Sequence, residues 1–435
     1  MKGVGNIIVN QSEGMAHNFD FFQGDVIEKT MGRGFEQEIR PSTTLTNEGP
    51  FEFFIPPSND YIFLPLTRLY IRVKITKANG VNVVNNLDFG VANLFPHSLF
   101  RQVDVEVGGV NTSSQDQMYA YKAYLESLLS YPEAPGGHLT SCSGYSLDDP
   151  RLHDSRDNTA YAIRRSGMNT NLSKDFCIPL HCDILQSVKV IPGNTSLKFT
   201  LTRNPDAFSF IAPEDASLRI NIISMKMFIR KITPTEVIRK MHSSAFEKMD
   251  AYLPFSRSVI KKHLINAGST NASLSGIFKG VLPRQIVMMV IKSTRIDGRL
   301  EENPFKFDHF TLNYINLRVD GQNTPPTPYQ PDFDRGLTSR ELRALYDNVG
   351  VLTSTNGCEV SRDMFNNGYT MFAWDLTPDC CNGWHLHEQE GGKTVDLDLQ
   401  FATALPHAAN VVIYATYETG IKINKEGVAV ASFIN

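Results

Sequence analysis

The chain has 435 residues, is 41% hydrophobic and 20% charged, and carries a net charge of −4. That length exceeds what one core holds, so two domains are expected, and the charge balance excludes a protein that coats nucleic acid by electrostatics alone. No apolar run approaches the ~20 residues of a membrane span, and MKGVGNIIVNQSEG at the start lacks the apolar centre of a secretory signal, so a protein made and kept in the cytosol or nucleus, and not integral to a membrane, is expected.

In chain order, residues 1–45 read as an arm, mostly polar, with a short aromatic cluster, FDFF, at 19–22. Next comes FFIPPSNDYIFLPLTRLYIRVKI (53–75), a Pro-Pro turn followed by a strand with two unlike sides. Leu69, Ile71, Val73 and Ile75 point one way, and Tyr70, Arg72 and Lys74 the other. Helical periodicity is confined to three segments: 117–131, 235–249 after Pro234, and 338–348, where Thr338 and Ser339 are expected as caps. Elsewhere short alternating runs dominate, as at 218–232, 310–321, 395–405 and 410–423, separated by Gly, Pro and Asn. This pattern predicts an all-β sandwich or barrel.

Two internal matches indicate a duplication. VEVGGVNTSS (105–114) matches LRVDGQNTPP (317–326), and PGNTSLKFTL (192–201) matches GGKTVDLDLQ (391–400) in the same order. Two related β-domains follow, 46–234 and 251–435, with a helical linker at 235–250. Each is expected to hold one long connection, 112–173 in the first and 322–368 in the second, and connections of that length are usually functional.

The search for chemistry finds no phosphate loop, no nucleophile elbow and no catalytic constellation, so no enzyme and no cofactor is expected. Asp396 and Asp398 share a strand face at a spacing open to acid–base work, but a solvated face accounts for them better. Cys380, Cys381, His385 and His387 are the residue types of a zinc site, but adjacent cysteines seldom reach one ion and no Cys-x-x-Cys spacing is present. CIPLHC (177–182) is read as core, and the six cysteines as free thiols of a reducing compartment. The modest basic clusters, 226–240 and Lys261–Lys262, are read as solvated or interface faces, so any contact with nucleic acid would be local and weak.

Six segments in order, GPFEFFIPPSNDYIFLPLTRLYIRVKI (49–75), LFPHSLFRQVDVEVGG (94–109), IPGNTSLKFTLTR (191–203), YLPFSRSVIKKHLINAG (252–268), NPFKFDHFTLNYINLRVDGQ (303–322) and NGYTMFAWDLTPD (367–379), resemble the hexon-like double jelly-roll major capsid proteins, in particular those of Polinton-type elements and adintoviruses. The resemblance implies two consecutive eight-stranded jelly rolls and a homotrimer with six similar corners that tiles an icosahedral shell around double-stranded DNA. It also implies penton and minor or cement proteins as partners, and a virion location after synthesis in the host cytosol, with assembly there or in the nucleus. By analogy the two long loops would project, interlock the trimer and form its outer surface. Tyr70, Arg72 and Lys74 become interface residues or remain plain solvent-exposed strand. Phe19, Phe21 and Phe22 of the arm would dock under a neighbour or cover the chain's own core. The rival readings are a two-domain jelly-roll carbohydrate-binding protein or hydrolase, and a capsid-derived interaction protein retained by a host.

Overall fold

The computed structural model describes residues 29–83, 89–130, 138–166, 168, 172–349, 358, 360–378 and 391–431. The first half builds strands β1 (Met31–Ile39), β2 (Phe51–Ile55), β3 (Tyr61–Lys77), β4 (Gly90–Val91), β5 (Phe100–Val107), β6 (Val110–Asn111), β7 (Lys174–Pro179), β8 (Leu197–Arg203), β9 (Phe210–Ile211) and β10 (Leu218–Pro234). The second builds β11 (Ala251–Ile265), β12 (Asn271–Gly280), β13 (Gln285–Lys292), β14 (Leu312–Val319), β15 (Gln322–Tyr329), β16 (Met371–Asp375), β17 (Lys393–Phe401), β18 (Ala409–Ile423) and β19 (Ala429–Ala431).

The sheets β1-β10-β3-β7 and β2-β8-β5-β6 share one core in the first half. The sheets β11-β18-β13-β16 and β12-β17-β14-β15 do so in the second, with β19 added beside β18. Setting aside the short β4/β9 ribbon, both halves have the same strand order, first-eighth-third-sixth against second-seventh-fourth-fifth. Each is an eight-stranded jelly roll. The two sequence matches occupy equivalent places: β5–turn–β6 corresponds to β14–turn–β15, and β8 to β17.

Alternation drives the strands into this arrangement. Leu69, Ile71, Val73 and Ile75 are all buried, and Phe51, Phe53, Val105, Phe199 and Leu201 close on them from the opposing sheet. The second roll is packed likewise by Val395, Leu397 and Leu399 against Val287, Met289 and Ile413.

Three expectations need correction. Residues 31–39 fall within the segment read as an arm, yet they form edge strand β1, paired along β10. An edge strand with little buried surface shows weak alternation, and MGRGFEQEI has almost none. The stretch 322–329, read as the start of a loop because of its prolines, is edge strand β15. Proline is tolerated there because an edge leaves backbone donors without a ladder partner. Thr338 precedes the helix Ser339–Asn348 but does not cap it, since its hydroxyl donates to Asn366 Oδ1 at 2.8 Å.

The helix Glu236–Phe246 stands between the rolls in sequence, held to β3 by Tyr61, whose hydroxyl is 2.8 Å from His242 Nδ1. The last hairpin of the second roll plugs into the first. Ala429 N donates to Gly108 O at 2.9 Å, and Asn194 Nδ2 donates to Lys425 O at 2.7 Å. Gly427 (φ +78°) makes this approach possible, because a Cβ there would lie 2.1 Å from Asn194 O.

Candidate functional site

Function can rest on the outer sheet face of the first roll, on the junction between the rolls, and on a groove beside the linker helix. On the first, β3 turns its apolar side inward, so Tyr70, Arg72 and Lys74 share the outward side. The register sets Tyr70 between Lys226 of β10 and Cys177 of β7, and Arg72 between Ser224 and Asp175. Lys226 pairs with Glu38 of β1 at 3.0 Å. Half-exposed pairs of this kind contribute only ~0–1 kcal/mol each, so the ladder adds little to the stability of the isolated chain.

The other singled-out residues fare differently. Phe19, Phe21, Phe22, Cys380, Cys381, His385 and His387 lie outside the described residues. Among the described residues no group of three or more His, Cys, Asp or Glu is arranged to hold a metal ion. Asp396 and Asp398 sit beside Arg318, whose Nε is 3.0 Å from Asp398 and whose Nη2 is 3.9 Å from Asp396. Asp396 also accepts from Gly276 N at 2.7 Å, and Asp398 from Ser273 Oγ. Both carboxylates tie β12 and β14 to β17. In CIPLHC, His181 and Cys182 are buried as expected of core, but Cys177 faces outward beside Tyr70.

The junction is where the structure departs most from the expected projecting loop. The helix Tyr119–Ser130 of the first long connection lies against the second roll, and Tyr121, Tyr124, Leu125 and Leu128 share a core with Phe305, Phe307, Val287 and Tyr369. Tyr124 and Phe305 stack with centroids 4.3 Å apart, and Tyr121 meets Phe305 edge-on at 5.6 Å. Surface used in this way is not available to project or to interlock copies.

Two buried polar networks frame that stack. In the first, Lys122 Nζ lies 2.5 Å from Asp183, and Asp183 accepts from both N and Oγ of Ser258 at 2.9 Å. Glu126 joins His181 Nδ1 at 2.8 Å and accepts from Tyr414 Oη at 3.2 Å. Burial works against the Lys122 ammonium, but the facing carboxylates of Asp183 and Glu126 outweigh it and hold the group above its ordinary range. Burial pushes the Asp183 carboxyl up, while its three donors favour the ionised form. In the second network, Arg164 Nη2 meets Asp148 at 2.6 Å, and Asn303 Nδ2 donates to the other Asp148 oxygen at 2.9 Å. Arg295 grips Asp154 through two bonds of 2.6 and 2.9 Å. Burial opposes the charge on Asp154, but Arg295 and the Asn303 N–H outweigh it and hold the carboxyl at about 2. Each network joins the first half to the second.

His97 lies at the rim of the first network, 3.1 Å from Tyr119 Oη and with its ring 5.0 Å from that of His181, which Glu126 faces. Burial, helped by His181, pushes its imidazole well below the ordinary range. A histidine depressed on folding lends full stability above its unfolded value of about 6.5 and loses it as pH falls. Between pH 7.5 and 5.5 the wild type should therefore lose more stability than a His97→Gln variant. Urea midpoints of both proteins at the two pH values measure this, and equal losses would refute it.

Beside the linker helix, His242, Ala245, Phe246 and Met249, together with Tyr61, Val188–Val190, Pro192 and Asp250–Leu253, line a groove of about 570 Å³. Val188 is 83% and Met249 68% exposed. Sequence reasoning took this helix only as a divider. The apolar spacing of Ala245, Phe246 and Met249 was the available signal.

Two tandem rolls of identical strand order, fused through a shared core, define a double jelly roll, the fold of viral major capsid proteins. No family model matches the chain. The chain aligns with a chain of the Sputnik virophage structure at a TM-score of 0.64 and 14% identity, covering 98% of this chain and 94% of that one. The mavirus major capsid protein aligns at 0.56 and 11%, over 99% and 97%, and that of Faustovirus at 0.54 and 8%, over 93% and 92%. An uncharacterized protein of Caenorhabditis elegans is 22% identical over 388 residues, 85% of this chain and 90% of that protein. Among the described residues no helix is long and apolar enough to cross a membrane.

Proposed function

We propose that this protein is a structural major capsid protein whose homotrimer forms a pseudo-hexagonal capsomer of an icosahedral shell around double-stranded DNA. The observation that carries the reading is the pairing of two equivalent rolls, aligned over nearly the whole length of the Sputnik and mavirus chains. A trimer of such pairs presents six similar corners, which is what a six-fold lattice position requires. The ordered segments from 49–75 to 367–379 support the finer placement with Polinton-type and adintovirus capsid proteins. Penton and minor capsid proteins are the partners this role calls for, and the virion is its location.

In this reading Tyr70, Arg72 and Lys74 lie in a contact between rolls of neighbouring chains, Tyr and Arg being favoured interface anchors. A permanent trimer needs more than ~2,000 Å² of largely apolar interface, which that face alone does not supply. Purified protein should scatter light as a species of three times 48.7 kDa, about 146 kDa, with hexagonal outlines in negative stain. A clean monomer would overturn the capsomer while leaving the fold intact.

The nematode relative favours a second reading, a capsid-derived protein kept by an animal. It is separated from the first by whether trimers go on to form closed shells.

A further inference from the structure

We infer that the groove beside the linker helix is the seat of the chain's own N-terminal segment, with the aromatic side chains of residues 19–22 filling it. The helix Glu236–Phe246 has no buried residue, although His242, Ala245 and Phe246 recur at the spacing of a single apolar stripe. Val188 and Tyr252, which line the same groove, are 83% and 45% exposed. An open trough of this size, lined mostly by apolar residues, suits a few large side chains.

Where the N-terminal segment leaves the first roll identifies the occupant. Strand β1 begins at Met31 opposite Pro234, and Thr235 N donates to Thr30 O at 3.0 Å. The segment therefore emerges at the first turn of the helix that walls the groove. That helix is 11 residues long, about 16 Å at 1.5 Å per residue. From Thr30 back to Phe22 an extended chain spans up to about 28 Å. Phe19, Phe21 and Phe22 thus reach the far end of the groove without leaving their own subunit. The groove is lined by Asp250 as well as by Lys189, whose Nζ lies 6.0 Å from the centre of the Tyr252 ring, so reach and aromatic bulk, not the charge of Asp20, select this occupant. Ile7, Ile8 and Val9 lie farther along the segment and Val26 and Ile27 nearer β1, and neither run has aromatic bulk.

The inference does not depend on the capsid reading, since an intramolecular seat forms in a monomer as well as in a trimer. The full chain, with p-benzoylphenylalanine in place of Phe21, is irradiated, and the products are separated under denaturing conditions and digested. The expected product is a cross-link within a single chain to residues 188–192 or 242–253. A cross-link joining two chains would overturn the proposal in favour of a neighbour's segment, and one landing elsewhere, or none, would overturn the groove. In parallel, a Phe19→Ser, Phe21→Ser, Phe22→Ser variant should exchange amide hydrogens at 188–192 and 249–253 at least ~10-fold faster than wild type, reflecting lost cover over backbone that otherwise opens locally. Unchanged exchange would count against the proposal even if the cross-link formed.

Discussion

Replacing Asp148 by alanine should destabilise the protein by about 3–5 kcal/mol, the cost of leaving a buried charge without its partner. Asp148 and Arg164 have side chains 0% and 1% exposed, so water cannot replace the lost carboxylate. Asn158 and Asn303 also donate to that carboxylate, at 3.2 and 2.9 Å, and both would lose an acceptor. Asp148→Asn should cost less, because it keeps the shape and one acceptor oxygen. Urea unfolding followed by tryptophan fluorescence reads the effect, since Trp374 is buried in the second roll while Asp148 comes from the first half. A loss below about 1 kcal/mol, the range of an exposed pair, would mean that the network does not hold the halves together.

Phe305→Ala should cost a similar 3–5 kcal/mol for a different reason, the void left by a fully buried ring. Phe305 touches aromatic partners on three sides. Tyr124 is stacked on it, and Tyr121 and Phe208 meet it edge-on at 5.6 and 6.0 Å. All three partners come from the first half, so the ring acts as a peg from the second roll in a socket made by the first. Phe305→Leu should recover more than half of the loss. If Phe305→Ala melts within a degree or two of wild type, the stack closes easily and the junction is softer than its packing indicates.

How much of this was visible in the sequence depends on the kind of surface. Strand β3 was legible because one of its faces is buried and the other is not, so Leu69 to Ile75 alternate cleanly. The duplication was legible because turns such as Gly108–Gly109 and Gly321 impose their own residue types on both halves. Edge strands β1 and β15 were not, since an edge buries little and tolerates charge and proline. The junction was hidden for another reason. Asp148 and Asn303, or Tyr124 and Phe305, become partners only through the relative placement of two folded units, and no local spacing encodes it. The residues of the outer ladder could be named in advance because they follow from strand period alone, whereas the groove needed three separate segments brought together.

The inward-folded helix Tyr119–Ser130 also sets a timetable for synthesis. Its apolar side is finished early, but its socket includes Phe305 and Phe307, translated roughly 180 residues and about 10–40 s later at ~5–20 residues per second. Until then the nascent first roll carries an uncovered aromatic face, open to capture by the same face of another unfinished chain on a crowded polysome. Such a chain is most prone to aggregate before its second half exists, and its yield in any host should follow the supply of factors that shield nascent chains.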